Sequence, residues 1–169
     1  RKFSAYLLVL LLTVSAFAVA SFGARAEQGS ADVYGYFWTD SNAPTPSVAY
    51  DWIEISGTGT DVGFYYADVS YAGSFPIGFD FEFYGNTYSA FNVSCNGYIQ
   101  LGGGSSSDSN TPLPYSWSPN NVIAPFWDDL AVYYPSWNYG AVYYETIGTT
   151  PNQQLVVEFY EVSRYYSYN

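Results

Sequence analysis

The residues here with chemistry to offer are carboxylates and aromatic rings. Asp128 and Asp129 follow Phe126-Trp127. Adjacent carboxylates near backbone carbonyls are the oxygen donors that a hard cation such as calcium takes. Asp40, Asp51, Asp68 and Asp108 are further acids available to such a site. No D-x-[DN]-x-[DN]-G loop accompanies them, and Asp forms turns with its own backbone just as readily. The spacing favours a turn over a calcium site at Asp128-Asp129.

The rings give a second possibility. Trp38, Trp52, Trp117 and Trp137, with nearby tyrosines, present faces on which a sugar stacks. Trp52 and Trp127 lie in strand-like runs and are expected in the core, where large rings bury most area. Trp117 and Trp137 lie in stretches rich in Pro, Ser and Asn. They are the better candidates for exposure; packing within their own loops is favoured over ligand binding, the ligand then being a glycan or an extracellular protein.

Catalysis finds less support. A glycosidase needs two carboxyls about 5–10 Å apart across a cleft. Asp80 and Glu82 share the outward face of one predicted strand and Glu158 lies on another. Solubility and resistance to edge aggregation explain such acids equally well, so no catalytic residue is assigned. Cys95 is expected to be a small buried hydrophobe beside Val93, the other option being a bond between chains. Asn92-Val93-Ser94 matches a glycosylation sequon, a motif short enough to occur by chance.

Composition narrows the field further. Lys and Arg total 4 against 15 Asp and Glu, a net charge of −11. Nucleic-acid binding needs cations to displace phosphate counterions, and this chain lacks them. The absence of His excludes His-dependent triads and zinc sites, and a single Cys excludes an internal disulfide. Aromatics make up 22% of the 169 residues, which speaks against disorder.

The N-terminus reads as an address. Arg1-Lys2 precede an apolar run from Tyr6 to Ala20, and Ala24-Arg25-Ala26 forms an A-x-A site before Glu27. This is the order of a secretory signal peptide over 1–26, expected as a helix. The apolar run is short for a membrane span of about 20 residues, so no span is expected after cleavage. Cleavage leaves Arg164 as the single basic residue against fifteen acids, a charge of −14. A charge of that size favours solubility and repels anionic surfaces.

After Ala26 the pattern is that of strands and turns. Residues 27–47 read as an extension and 48–169 as a β-module. Tyr50–Ile55 is the first predicted strand. Phe75, Ile77, Phe79, Phe81 and Phe83 alternate with Pro76, Gly78, Asp80, Glu82 and Tyr84, so one set faces inward and the other outward. Gly85-Asn86 marks the turn after it. Asn92–Leu101 reads as a strand, a bulged strand or a hairpin about Asn96-Gly97. Gly102–Asn110 is a Gly/Ser loop. Val122–Trp127 is a buried run that Pro125 confines to an edge or bulge. Ala141–Ile147 and Gln154–Val162 close the series. The fold expected is an all-β antiparallel sandwich, jelly-roll-like or Ig-like. Its expected core includes Trp52, Ile53, Ile77, Phe79, Phe81, Phe83, Val93, Ile99, Ile123, Phe126, Trp127, Val142, Val157 and Phe159. The last residues, Tyr168-Asn169, follow directly on a strand-like run, so further domains of a longer chain are expected.

Two stretches carry a resemblance. One is Phe75-Pro76-Ile77-Gly78-Phe79-Asp80-Phe81-Glu82-Phe83-Tyr84-Gly85 through Tyr88, followed by Val93-Ser94-Cys95-Asn96-Gly97-Tyr98-Ile99. The other is Ile123-Ala124-Pro125-Phe126-Trp127-Asp128-Asp129-Leu130, followed by Gly140-Ala141-Val142-Tyr143-Tyr144 and Val156-Val157-Glu158-Phe159. Over roughly 48–165 this order resembles a secreted prokaryotic β-module that is similar in turn to the nidogen extracellular domain. The resemblance implies an extracellular, β-rich module of large surface proteins and no catalytic residues. Departures are Cys95, where Ser is more usual, and abundant tyrosine at 133, 134, 143, 144, 165 and 166. The expected function is adhesion, matrix contact or spacing in a secreted or cell-surface protein. Carbohydrate binding through exposed Trp and Tyr is the alternative, and a carboxylate glycosidase a distant third. No cofactor is required, calcium being the one ion the sequence allows for.

Overall fold

The strand that alternates most clearly in sequence is also the longest in the fold. In this computed structural model, which describes residues 28–44, 47–136 and 139–165, β2 runs Tyr71–Phe83. Ile77 is buried, and Phe75, Phe79, Phe81 and Phe83 are half-buried, while Pro76, Gly78, Asp80 and Glu82 face solvent. The turn to β3 (Asn86–Ser94) is Tyr84-Gly85, one residue earlier than expected, with Phe83 paired to Asn86. Both turn residues have positive φ, 47° and 74°. A type I′ hairpin needs this, and Gly supplies it without strain.

The chain divides into two units, Arg1–Tyr50 and Asp51–Asn169. The expected signal peptide lies outside the described residues. In the first unit Gln28 bridges Thr39, and Asp32 accepts the N–H groups of Tyr34 and Tyr36 at 2.8 and 3.1 Å, an Asx turn.

The second unit is all antiparallel β. One sheet has the order β2-β3-β4-β5, with β4 at Tyr98–Leu101 and β5 at Val122–Ile123. A second has the order β1-β7-β8, formed by Thr60–Asp61, Ala141–Ile147 and Gln154–Tyr160. A third pairs β6 (Leu130–Ala131) with β9 (Ser163–Arg164). The first two sheets face one another. Tyr144 of β7 meets Phe75 and Phe91 at ring separations of 4.9 and 5.5 Å. Thr146 Oγ1 donates to the Ile77 carbonyl at 2.6 Å. Ile77, Phe91, Val93, Leu101, Val132 and Val142 form the centre of the core. On the open side, an apolar cleft of about 620 Å³ lies against Ile77, Phe79, Ile99, Ile123, Val157 and Phe159. Among the described residues no helix is long and apolar enough to cross a membrane.

Several expectations are corrected. Tyr50–Ile55 forms no strand. Its Glu54 carboxylate takes the Ser56 N–H and the Trp52 ring N–H, and the Glu158 carboxylate, not a neighbouring strand, accepts the Ile55 N–H at 2.9 Å. Ile55 is buried, whereas Trp52 is 57% exposed. Val122–Trp127 keeps only two residues as strand. After Ile123 the chain turns at Pro125-Phe126, and this turn carries Trp127 inward and leaves Phe126 63% exposed. Ile123 ends an edge strand at the cleft and is also exposed. Of the options for Asn92–Leu101, the hairpin is the one observed, with β3 and β4 joined at Cys95-Asn96-Gly97.

Candidate functional site

The motif residues turn out to lock loops together. Asn96 is fully buried. Its Nδ2 donates to the carbonyls of Asp68 and Ser106, both at 3.1 Å, and its Oδ1 accepts the Leu130 N–H at 2.9 Å. Gly97 has φ of 81°, and a Cβ there would sit 1.8 Å from the Phe126 carbonyl oxygen. Only glycine lets these two backbones meet. Trp127 packs against Tyr98 with ring centres 5.0 Å apart and tilted by 53°, and donates its ring N–H to the Ser107 carbonyl at 2.9 Å. Cys95 is buried, and its thiol donates to the Asp68 carbonyl at 2.7 Å while accepting from the Ser70 N–H. Burial pushes this thiol up to about 11. A buried, protonated thiol is a poor partner for a disulfide between chains.

Asp128-Asp129, weighed in sequence as a turn or a calcium site, adjoin this lock. Asp128 Oδ2 meets Arg164 Nε at 3.0 Å, and its Oδ1 accepts the Asp129 N–H at 2.9 Å. The Asp129 carbonyl accepts the Tyr165 N–H at 2.9 Å, just beyond the β6-β9 pairing. Among the described residues no three His, Cys, Asp or Glu side chains gather as a metal would require. Trp117 is 74% exposed. It sits on a turn pinned by Asn120, whose amide bonds the Tyr115 N–H and the carbonyls of Tyr115 and Trp117. Trp137 lies outside the described residues.

A surface feature emerges that the spacing of residues did not reveal. The β6-β9 pair is continued by a bridge from Val132 to Ala67, which brings three distant segments side by side. Their tyrosines form a continuous ladder. Tyr165 contacts Tyr134 at 6.1 Å, Tyr134 contacts Tyr66 at 5.3 Å, and Tyr66 contacts Tyr65 at 4.6 Å. Tyr65 contacts Tyr133 at 5.2 Å, and Tyr133 contacts Tyr139 at 6.3 Å. Tyr65, Tyr66 and Tyr139 are exposed. Tyr66 and Tyr133 carry φ of 48° and 55°. A bulky residue in the left-handed region is strained, by about 1–3 kcal/mol, and such strain concentrates at functional sites.

Of the tyrosines whose abundance stood out in sequence, Tyr133, Tyr134 and Tyr165 join the ladder. Tyr144 goes to the core, and Tyr166 is outside the described residues. The signal available in sequence was the pair of Tyr-Tyr dipeptides at 65–66 and 133–134. Nothing local said that they would meet.

The comparisons bear on the same residues. The family model described as NIDO related matches residues 35–169. The chain belongs to the NIDO-related family. Modules of this nidogen-related type are in general non-catalytic and typically extracellular. No curated protein and no solved structure matches the chain. In this NIDO-related chain Asn96, Gly97, Trp127 and Leu130, which lie in the stretches that carried the resemblance, are buried in the lock, while Tyr65, Tyr66 and Tyr139 of the ladder are exposed.

Proposed function

We propose that this chain is a non-enzymatic extracellular module that makes adhesive or matrix contacts for a secreted or cell-surface protein, with the tyrosine ladder as its contact face. The observation that carries the reading is the ladder itself: six rings, five from the three paired segments and the sixth from Tyr139, with strained backbone at Tyr66 and Tyr133. Tyrosine gives large amphipathic contact area at low entropic cost, which is why binding surfaces are rich in it. The family membership supports a non-catalytic role outside the cell.

A second reading, carbohydrate binding, draws on Trp117, held out on its pinned turn. One experiment separates the two. The full chain, Tyr65→Leu/Tyr139→Leu and Trp117→Ala are tested against purified matrix proteins and a glycan array. Binding lost in the tyrosine variant supports the proposal. Binding lost only in Trp117→Ala moves the site to the tryptophan turn. No binding to either set rejects both readings.

A further inference from the structure

We infer that the tyrosine ladder receives a cationic segment of a partner polypeptide, with arginine and lysine side chains laid over its ring faces. This rests on the ladder being a contact face and adds what it contacts.

The first argument is ring geometry. A cation is attracted to the face of a tyrosine when it lies within about 6 Å of the ring centre. Three of the five ring contacts in the ladder stand edge to face, with interplanar angles of 87° between Tyr65 and Tyr66, 84° between Tyr66 and Tyr134, and 78° between Tyr133 and Tyr139. The other two are tilted, Tyr134 and Tyr165 at 57° and Tyr65 and Tyr133 at 35°. Rings set at such varied angles offer separate faces in several directions, which suits side chains arriving one by one along a peptide.

Charge complementarity is the second argument. The chain carries −11 overall. The one cation among the described residues, Arg164, is paired with Asp128 at 3.0 Å. At the Tyr165 end, burial followed by the repulsion of Asp129 and Asp108 holds the Asp68 carboxyl above the usual range, with Tyr165 hydrogen-bonded to it in opposition. An arriving cation relieves that repulsion. The negative field of the whole molecule also speeds encounter with a cationic partner, in a salt-dependent way.

The test must distinguish ring recognition from bulk attraction between an acidic protein and any polycation. Three nine-residue peptides serve as probes for the full chain at physiological ionic strength: all arginine, all lysine, and a Gly/Ser peptide. Arginine stacks on rings better than lysine at equal charge. The wild type is therefore expected to bind the arginine peptide several-fold more tightly than the lysine peptide, and the Gly/Ser peptide not at all. Tyr65→Leu/Tyr139→Leu keeps charge and apolar bulk but removes two ring faces. It should lose about tenfold in arginine-peptide affinity and lose the preference over lysine, whereas Tyr65→Phe/Tyr139→Phe keeps both. An unchanged circular dichroism spectrum and melting midpoint show that the variants are folded. Equal affinity of wild type and the leucine variant for the arginine peptide would overturn the inference. If the leucine variant loses a matrix ligand while the peptides do not discriminate, the ladder remains the contact face and the cationic partner is wrong. If neither changes, both fall.

Discussion

Asn96 and Gly97 show how a two-residue turn signal can do more than turn a chain. The dipeptide reads in sequence as a hairpin, and a hairpin it is. What the sequence did not disclose is that the Asn96 amide spans to Asp68, Ser106 and Leu130, partners set by tertiary placement alone. Replacing Asn96 with Ala takes the partner from the buried Leu130 N–H and the part-buried Ser106 carbonyl, while the Asp68 carbonyl keeps the Cys95 thiol. The expected loss is about 3 kcal/mol or more, read by urea unfolding. Gly97→Ala should cost at least as much, because both the contact with Phe126 and the positive φ oppose a Cβ. A loss below about 1 kcal/mol in either would show that the lock is dispensable. Asp68 gives a pH-dependent case. Its pKa is raised in the folded chain, first by burial and then by Asp129 and Asp108. The native state thus favours the protonated form, so the stability it contributes is full below the unfolded pKa and is lost as pH rises through the raised value. Asp68→Asn should match the parent in acid and melt a few degrees higher near neutral pH. Equal midpoints at both would place the carboxyl in ordinary solvent.

Among elements, legibility followed locality. β2 was readable because its alternation is carried by its own side chains. β7 and β8 were readable for the same reason, and their seven-pair register runs from Ala141↔Tyr160 to Ile147↔Gln154. The two-residue strands β1, β6 and β9 have no pattern of their own, since each exists only through a partner far along the chain. The ladder was hidden for that reason: its tyrosines meet because β6 and β9 pair and Val132 bridges Ala67. The misread segment at Tyr50–Ile55 is instructive in the other direction. Its apolar alternation is real, with Ile55 buried, but a carboxylate replaces the strand that would have paired it. Glu158, itself buried on β8, accepts the Ile55 N–H. Glu158→Ala should release residues 51–56. Faster hydrogen exchange at the Ile55 amide and new cleavage near Tyr50 by a protease are the expected signs, at a stability cost of about 2 kcal/mol. Unchanged exchange would mean that this segment is held by its apolar contacts alone.

For the whole molecule, charge sets behaviour and family membership sets context. A chain with 15 acids against 4 basic residues repels itself, and salt screens that repulsion. The melting midpoint should rise with added sodium chloride. Calcium chloride at matched ionic strength should do no more, because Asp128 is already engaged by Arg164 and the Asp129 N–H. A calcium-specific rise would instead make Asp128-Asp129 a metal site. The lock at Asn96-Gly97 holds three loops together, and under the proposed function the ladder outside it is the face that meets a partner. The central claim is that contact happens at the ladder. Peptide-resolved hydrogen exchange tests it directly, on the full chain free and then saturated with the tightest binder from the matrix and glycan panel. Protection at residues 65–67, 131–134 and 163–165, with none at 113–118, is the result expected. Protection confined to the Trp117 turn would contradict it.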